Sequence, residues 1–286
     1  MLHIKKIVNL FRKNPYLSNA AWDYQKAIVA PRIKPNDIVL DIGSGNYPSP
    51  RANILADLYQ EKTIHRSGPI KEDKPLVICP VERLPFLGHA FDFIICSHVL
   101  EHVDSPLTDG HELARVGEAG YIETPAYGKD IIVGSGYMHQ WQVVEFEGTL
   151  HFFEYSQQQK EAHVNSPVMD LWVSKRYHPW QDFFWQRQIF FNAMLAWQGQ
   201  PKIIEHRRPQ PRLKESELNK RPTELKLPDE KCSLTPDEIA LLEKRLATPD
   251  GDKPMYFKRE NSCFVDTDNR FLYPIRGKRI YTLSAD

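Results

Sequence analysis

The chain has 286 residues, 41% of them apolar and 26% charged, which suits one large soluble domain or one domain with a small appendage. Lysine plus arginine and aspartate plus glutamate stand at 37 each, so no overall field selects nucleic acid or an anionic membrane. No run approaches the ~20 apolar residues of a membrane span, and the apolar stretch in MLHIKKIVNLFRKN is too short for a signal peptide and lacks a small-residue cleavage pattern. A cytoplasmic protein is expected. The four cysteines, Cys79, Cys96, Cys232 and Cys263, form no CxxC pair. Cys96 in its apolar run reads as a buried free thiol, and a reducing compartment follows.

Taken in chain order, LSNAAWDYQKAIVA (17–30) reads as a helix, and IVLDIG (38–43) is a short apolar run closed by glycine, the pattern of a buried parallel strand. NILADL (53–58), PLVIC (75–79), FDFIICS (91–97) and GYIETP (120–125) read as further strands, with a helix over Pro106–Val116. This rhythm predicts an α/β, Rossmann-like, mostly parallel sheet with flanking helices, whose ligands bind outside the carboxyl ends of the strands. After about residue 130 the composition changes, and five of the six tryptophans lie between Tyr137 and Trp197. Helical periodicity is expected from about Trp180, and the whole stretch (about 130–200) reads as an aromatic cover completing a domain over 1–200. Residues 201–233, rich in proline and charge, read as a linker or surface-draped arm. Residues 234–286 read as a small α+β module. It opens on a helix with Thr235 as N-cap, Pro236 at the first helical position and Glu238 closing a capping box, and ends on strand, turn, strand in FLYPIRGKRIYTL (271–283).

The stretch VLDIGSGNYPSPRANILADL (39–58) carries the chemistry. Asp41, Gly43, Ser44 and Gly45 make D-x-G-x-G at a strand end, where glycine removes the Cβ from the path of a ligand. A dinucleotide fingerprint would add a third glycine and a helix aimed at a pyrophosphate. Here Asn46 and Tyr47 follow instead, then Pro48 and Pro50, which oppose a regular helix between Gly45 and Asn53. That favours a phosphate-free cofactor such as S-adenosylmethionine over one carrying a pyrophosphate. Asp57, at the end of the second strand, can accept hydrogen bonds from ribose hydroxyls. A structural turn is the alternative reading of the glycines, and a surface acid that of Asp57.

VLDIGSG, ERLPF (82–86), FDFIICSHVLEHV (91–103) and GYIETP, in that order, resemble the class I S-adenosylmethionine-dependent methyltransferases of the type 11 group over about residues 36–127. The resemblance implies that Asp41, Gly43, Ser44, Gly45 and Asn46 form the cofactor loop, that Asp57 and Leu58 meet the ribose, that Val81 and Glu82 frame the adenine, and that Ser97 and His98 close the sulfonium side. Pro80 stands where the family carries an aspartate for the adenine amino group, and Tyr47 replaces the third glycine. Methyl transfer to a hydroxyl or amine calls for alignment and a base. His98 and Glu123 are the candidates, since both follow strands at the ligand end of the sheet. Glu101 and His102 in the LEH pair read as architectural, and His139 and His151 as packing residues. No His, Cys or Asp cluster has metal-ligand spacing, so no metal is expected.

Residues 239–284 resemble, more distantly, the zinc-ribbon-like activator subunit of methyltransferases, with Thr248 and Asp250 and then Asp266–Asn269 where its metal cysteines would stand. The resemblance implies a metal-free module fused in cis. The leading expectation is methyl transfer to a small-molecule or glycan-type acceptor. A catalytically silent scaffold of the same fold and an RNA or translation-factor methyltransferase are the alternatives, the neutral charge weighing against nucleic acid.

Overall fold

The computed structural model describes residues 29–61, 63, 66, 68–133, 135–164, 191–209 and 227–282. The expected helix over 17–30 lies almost wholly outside them. The elements in order are β1 (Val39–Ile42), β2 (Ile54–Asp57), β3 (Leu76–Ile78), β4 (Phe93–Ser97), α1 (Pro106–Val116), β5 (Ala119–Pro125), α2 (Tyr127–Val133), β6 (Trp141–Phe146), β7 (Thr149–Glu154), α3 (Gln157–Val164), β8 (Asn192–Gln198), β9 (Ile203–His206), α4 (Pro236–Glu243), β10 (Tyr256–Lys258), β11 (Cys263–Val265), β12 (Leu272–Arg276) and β13 (Arg279–Tyr281).

β3, β2, β1, β4 and β5 lie side by side and parallel. Successive residues of a strand face opposite sides, so apolar groups on both faces make near-continuous apolar runs. Leu40 and Ile42 join a cluster with Leu113 and Val116 of α1, whereas Val39 packs with Ile33, Phe93 and Tyr121 behind the sheet. Pro106 starts α1 with Ser105 as its cap, the hydroxyl accepting from Thr108 N.

Residues 201–206, the start of the expected linker or arm, are instead part of the fold. β9 pairs parallel with β7, and with β6 they form a separate three-stranded sheet. Ile203 is buried in the main core. Glu205 accepts from Ser105 Oγ at 2.7 Å and from Leu107 N at 2.9 Å, so the "arm" ties down the start of α1. A carboxylate is stabilised there by the helix's exposed N–H groups.

The helical expectation around Trp197 is also corrected. Asn192–Gln198 is a strand, antiparallel to β5 along its whole length. Its burial alternates from Ala193 to Trp197 because pairing to a buried neighbour outweighs local periodicity. The remainder of that expected helix, residues 180–190, lies outside the described residues.

The C-terminal segment opens with the capping box read from its sequence, Thr235 and Glu238 each bonding the other's backbone N–H. Its strands, however, do not stand apart. β13 pairs parallel with β3, so β10–β13 extend the main sheet to ten strands, and Leu242, Leu246 and Ile280 enter the central core. Thr248 and Asp266 are both 1% exposed. Each supports a turn: Thr248 Oγ1 accepts from Lys253 N, and Asp266 Oδ1 accepts from Arg270 N and Phe271 N. Cys79, Cys96 and Cys263 are buried free thiols.

Candidate active site

A cleft of about 520 Å³ opens at the carboxyl ends of β1 to β4. Its size falls in the range of small-molecule and cofactor sites, roughly 300–1,000 Å³, and its position is the one an open parallel sheet provides. Gly43, Gly45, Asp57, Leu58, Val81, Glu82 and His98 line it. Of the expected site residues, Asp41, Ser44, Asn46, Ser97 and Glu123 do not.

Two of those that do not line the cleft, Asp41 and Glu123, hold parts of it in place. Asp41 is buried and accepts from Ser49 N at 2.6 Å, pinning the loop after Gly45. Burial drives its carboxyl up to about 7, against the pull of the Ser49 N–H and Lys74. Residues 46–52 form turns and no helix, as Pro48 and Pro50 require. Lys74 Nζ closes the loop by donating to the carbonyls of Ser49 and Pro50, each at 3.1 Å.

Asp57 faces the cleft with work already assigned. Its Oδ2 accepts from Gly45 N at 3.0 Å and its Oδ1 from Tyr59 N at 2.9 Å. Arg66 Nη1 sits 3.5 Å from Oδ2 while donating to Tyr59 O. Burial pushes this carboxyl up, opposed by the Tyr59 N–H, Arg66 and the Gly45 N–H. Each carboxylate oxygen has two lone pairs, so both can still accept from a pair of hydroxyls.

His98 is an exposed acid–base group at the site, its side chain 41% accessible. It follows β4 with φ of 58°, a left-handed backbone uncommon for a side chain of this size. Its N–H donates to Glu123 O at 2.7 Å, locking that turn to β5. The imidazole lies between two buried carboxylates, Nδ1 3.5 Å from Glu101 and Nε2 3.4 Å from Glu123. Burial and Lys129 press its pKa down, but the two carboxylates prevail and raise it. Glu123 itself is 1% exposed and accepts from Tyr121 Oη at 2.6 Å and Asn192 Nδ2 at 2.5 Å. It reaches the cleft only through His98.

The far end of the cleft is lined by His102, Val103, Asp104, Ser105, Thr108, Asp109 and Gln140, none of them singled out from the sequence as site residues. Their signal was partly present, because they cluster in the connection after β4 and at the start of α1. Gln140 comes from a chain segment some 40 residues on and shows only in three dimensions. From behind this wall Glu101 and His139 converge on His102. Burial alone would raise the Glu101 carboxyl, yet His98, His102 and His139 around it hold it at about 2. The expectation of no metal-ligand spacing considered neighbours in sequence, and His139 is a neighbour only in the fold.

A parallel sheet, a glycine turn and an acid at the end of the second strand make a Rossmann-like arrangement with a cleft at its carboxyl edge. Residues 49–121 match a family model described as a methyltransferase domain, a span that begins just after the glycine turn. Over those residues the chain is similar to a methyltransferase domain. A search of curated proteins finds no relative. Among solved structures the chain is similar to the YcgJ protein from Bacillus subtilis, at 19% identity over 40% of this chain and 59% of that one, with a TM-score of 0.30. It is also similar to a putative methyltransferase from Bacillus halodurans, at 15% identity over 43% of this chain and 70% of that one, TM-score 0.32. A third similarity is to a chain of the complex between the Haloferax volcanii Trm112 methyltransferase activator and the putative methyltransferase, at 12% identity over 60% of this chain and 88% of that one, TM-score 0.35. The chain thus spans less than two thirds of the first of these proteins. No helix among the described residues is long and apolar enough to cross a membrane.

Proposed function

We propose that the protein transfers the methyl group of S-adenosylmethionine to a small-molecule or glycan-type acceptor. The observation that carries this is the convergence of Gly43, Gly45, Asp57 and His98 on one cleft at the carboxyl edge of the parallel sheet. The residues fit the cofactor. Asp57 would accept from the ribose hydroxyls, Leu58, Val81 and Glu82 would flank the base, and Gly43 and Gly45 would let the methionine portion pass the backbone. When bound, the cofactor supplies an electrophilic methyl group on a sulfonium. The chain's own task is to align the acceptor and manage its proton.

His98 suits the second task. It is exposed to the cleft, held in an unusual backbone geometry, and oriented by Glu123 and Glu101. Glu123 acts as a positioning residue. Residues 234–282 support β3 from the side as a module built in cis, which agrees with their resemblance to an activator subunit.

Calorimetry on the full chain tests the cofactor. Asp57→Ala should weaken S-adenosylmethionine binding by about 1.5–3 kcal/mol, the scale of a charge-assisted hydrogen bond. Unchanged affinity would remove the ribose assignment. Asparagine tolerates a left-handed backbone, so His98→Asn should fold. It should retain cofactor affinity within a few-fold and lose about 10²–10⁴ in turnover in a methyl-release assay over candidate acceptors. Cofactor binding with no turnover on any acceptor favours the silent scaffold, a reading supported by Pro80, which offers the adenine amino group no side-chain acceptor.

A further inference from the structure

At the end of the cleft lined by His102 and Gln140, Glu101, His102 and His139 place one carboxylate oxygen and two imidazole nitrogens within 4.8 Å of one another. Both imidazoles are already oriented through Nδ1. His102 Nδ1 lies 3.2 Å from Met138 O, and a carbonyl can only accept, so the proton sits on Nδ1. His139 Nδ1 lies 2.9 Å from Asp130 Oδ2, which also accepts from Tyr155 Oη at 2.9 Å. A carboxylate partner places the His139 proton on Nδ1 as well. Each ring is therefore left with a lone pair on Nε2. The rings meet edge to face with centroids 4.8 Å apart.

The carboxylate has the matching deficiency. Glu101 is 1% exposed, and its Oε2 has no hydrogen-bond partner among the described residues. A buried carboxylate oxygen without a partner is costly unless a cation or donor meets it. Tyr155, Asp130 and His139 form a chain of the kind that orients metal-bound histidines, in which the outer carboxylate fixes the tautomer and raises ligand basicity.

From this arrangement we infer that Glu101, His102 and His139 bind a divalent first-row transition-metal ion, zinc in the first instance. Two imidazoles and one carboxylate, with no thiolate, are the donors of three-ligand sites that keep an open position. Bonds of about 2.0–2.2 Å require donor atoms roughly 3–3.5 Å apart, so the side chains would draw in by about an ångström. His102 and Gln140 line the cleft, whereas Glu101 and His139 stand behind it. The open position therefore faces the cleft beside His98. On the methyltransferase reading proposed above, it is where an acceptor oxygen would be held.

The competing account is purely structural, with the two imidazoles serving as buried counter-charges for Glu101. Titration of the chelator-stripped full chain with cobalt(II) separates the two. A metal site gives visible ligand-field bands that saturate at about one equivalent and disappear when zinc is added. His139→Gln should abolish them. Asp130→Asn, which disturbs only the orienting partner, should weaken binding about 10–100-fold. Circular dichroism confirms that each variant is folded, and if one is not, the wild-type titration decides alone. No saturable bands in the wild type, or bands unchanged in folded His139→Gln, would overturn the site. The failure of this inference is distinguishable from that of the proposed function: cobalt binding without methyl transfer keeps the site and sinks the enzyme, while methyl transfer with no cobalt spectrum does the reverse.

Discussion

Gly43 has a φ of 69°, and a methyl group added to it would lie 2.2 Å from Val99 Cγ2. Sequence logic singles out this glycine for close approach of a ligand. In the fold, the nearest competitor for the space is Val99, from the turn after β4. Left-handed strain and overpacking therefore combine, and Gly43→Ala should cost about 2–4 kcal/mol in urea unfolding. A loss under half of the lower figure would show that Val99 can move aside. Asp41, in the same motif, belongs to the cofactor loop by the family resemblance. In the fold it is buried and anchors that loop through Ser49 N, with a pH signature. Its folded pKa of about 7 stands above its ordinary value of 3.8, so the folded state prefers the protonated form. Stability is undiminished below the unfolded value, falls as pH rises between the two, and stays at the lower level above the folded value. The melting temperature of Asp41→Asn minus that of wild type should thus grow from pH 5 to 7 and level off by about pH 8. A constant difference would mean that Asp41 titrates in the folded protein as it does in water.

Elements differ in how local their causes are. α4 is written entirely in its own first turn, where Thr235, Pro236 and Glu238 supply cap, fixed φ and reciprocal bond. It was legible for that reason. Thr235→Ala should cost about 1 kcal/mol, read as a shifted denaturation midpoint with an unchanged slope. β8 was illegible because its cause lies elsewhere. Asn192–Gln198 follows an aromatic-rich run spaced like a helix, but β5 offers seven consecutive pairing partners, and each Trp197-type side chain gains more from that surface than from helical neighbours. Gly120, opposite Trp197, shows how tight the fit is: an added Cβ would meet the indole at 2.6 Å. β9 was hidden in a stretch whose prolines and charges looked like an arm, although Ile203 enters the core and Glu205 bonds the start of α1.

At the scale of the whole molecule, a mostly parallel sheet followed from the alternation of apolar runs and turns, whereas the order β3-β2-β1-β4-β5 shows only in the fold. What local pattern could not convey was register between distant segments. Residues 234–286 looked separable because their caps and turns are self-contained. Their strands nevertheless complete the sheet, and Leu242, Leu246, Phe264, Tyr273 and Ile280 are buried in its core. Deleting residues 234–286 should therefore leave no folded catalytic domain, only a chain that elutes as aggregate and melts without a cooperative transition. A monomeric, cooperatively melting fragment of residues 1–233 would show the tail to be dispensable. The Glu101–His102–His139 cluster has the same origin as β13, since it exists only once distant segments meet.

The pairing of β13 with β3 also sets a clock. Arg279 bonds Glu72 across a separation of 207 residues, and both flank that junction. On a ribosome adding about 5–20 residues each second, β3 would wait roughly 10–40 s for its neighbour to be made. Throughout that interval Leu76, Val77 and Ile78 present an unpaired apolar edge, and closing so long a loop is slow in itself. Newly made chains should accordingly depend on holding chaperones until synthesis ends. Slowing translation after residue 80 should lower the yield of soluble protein, whereas slowing it within the first 70 residues should not.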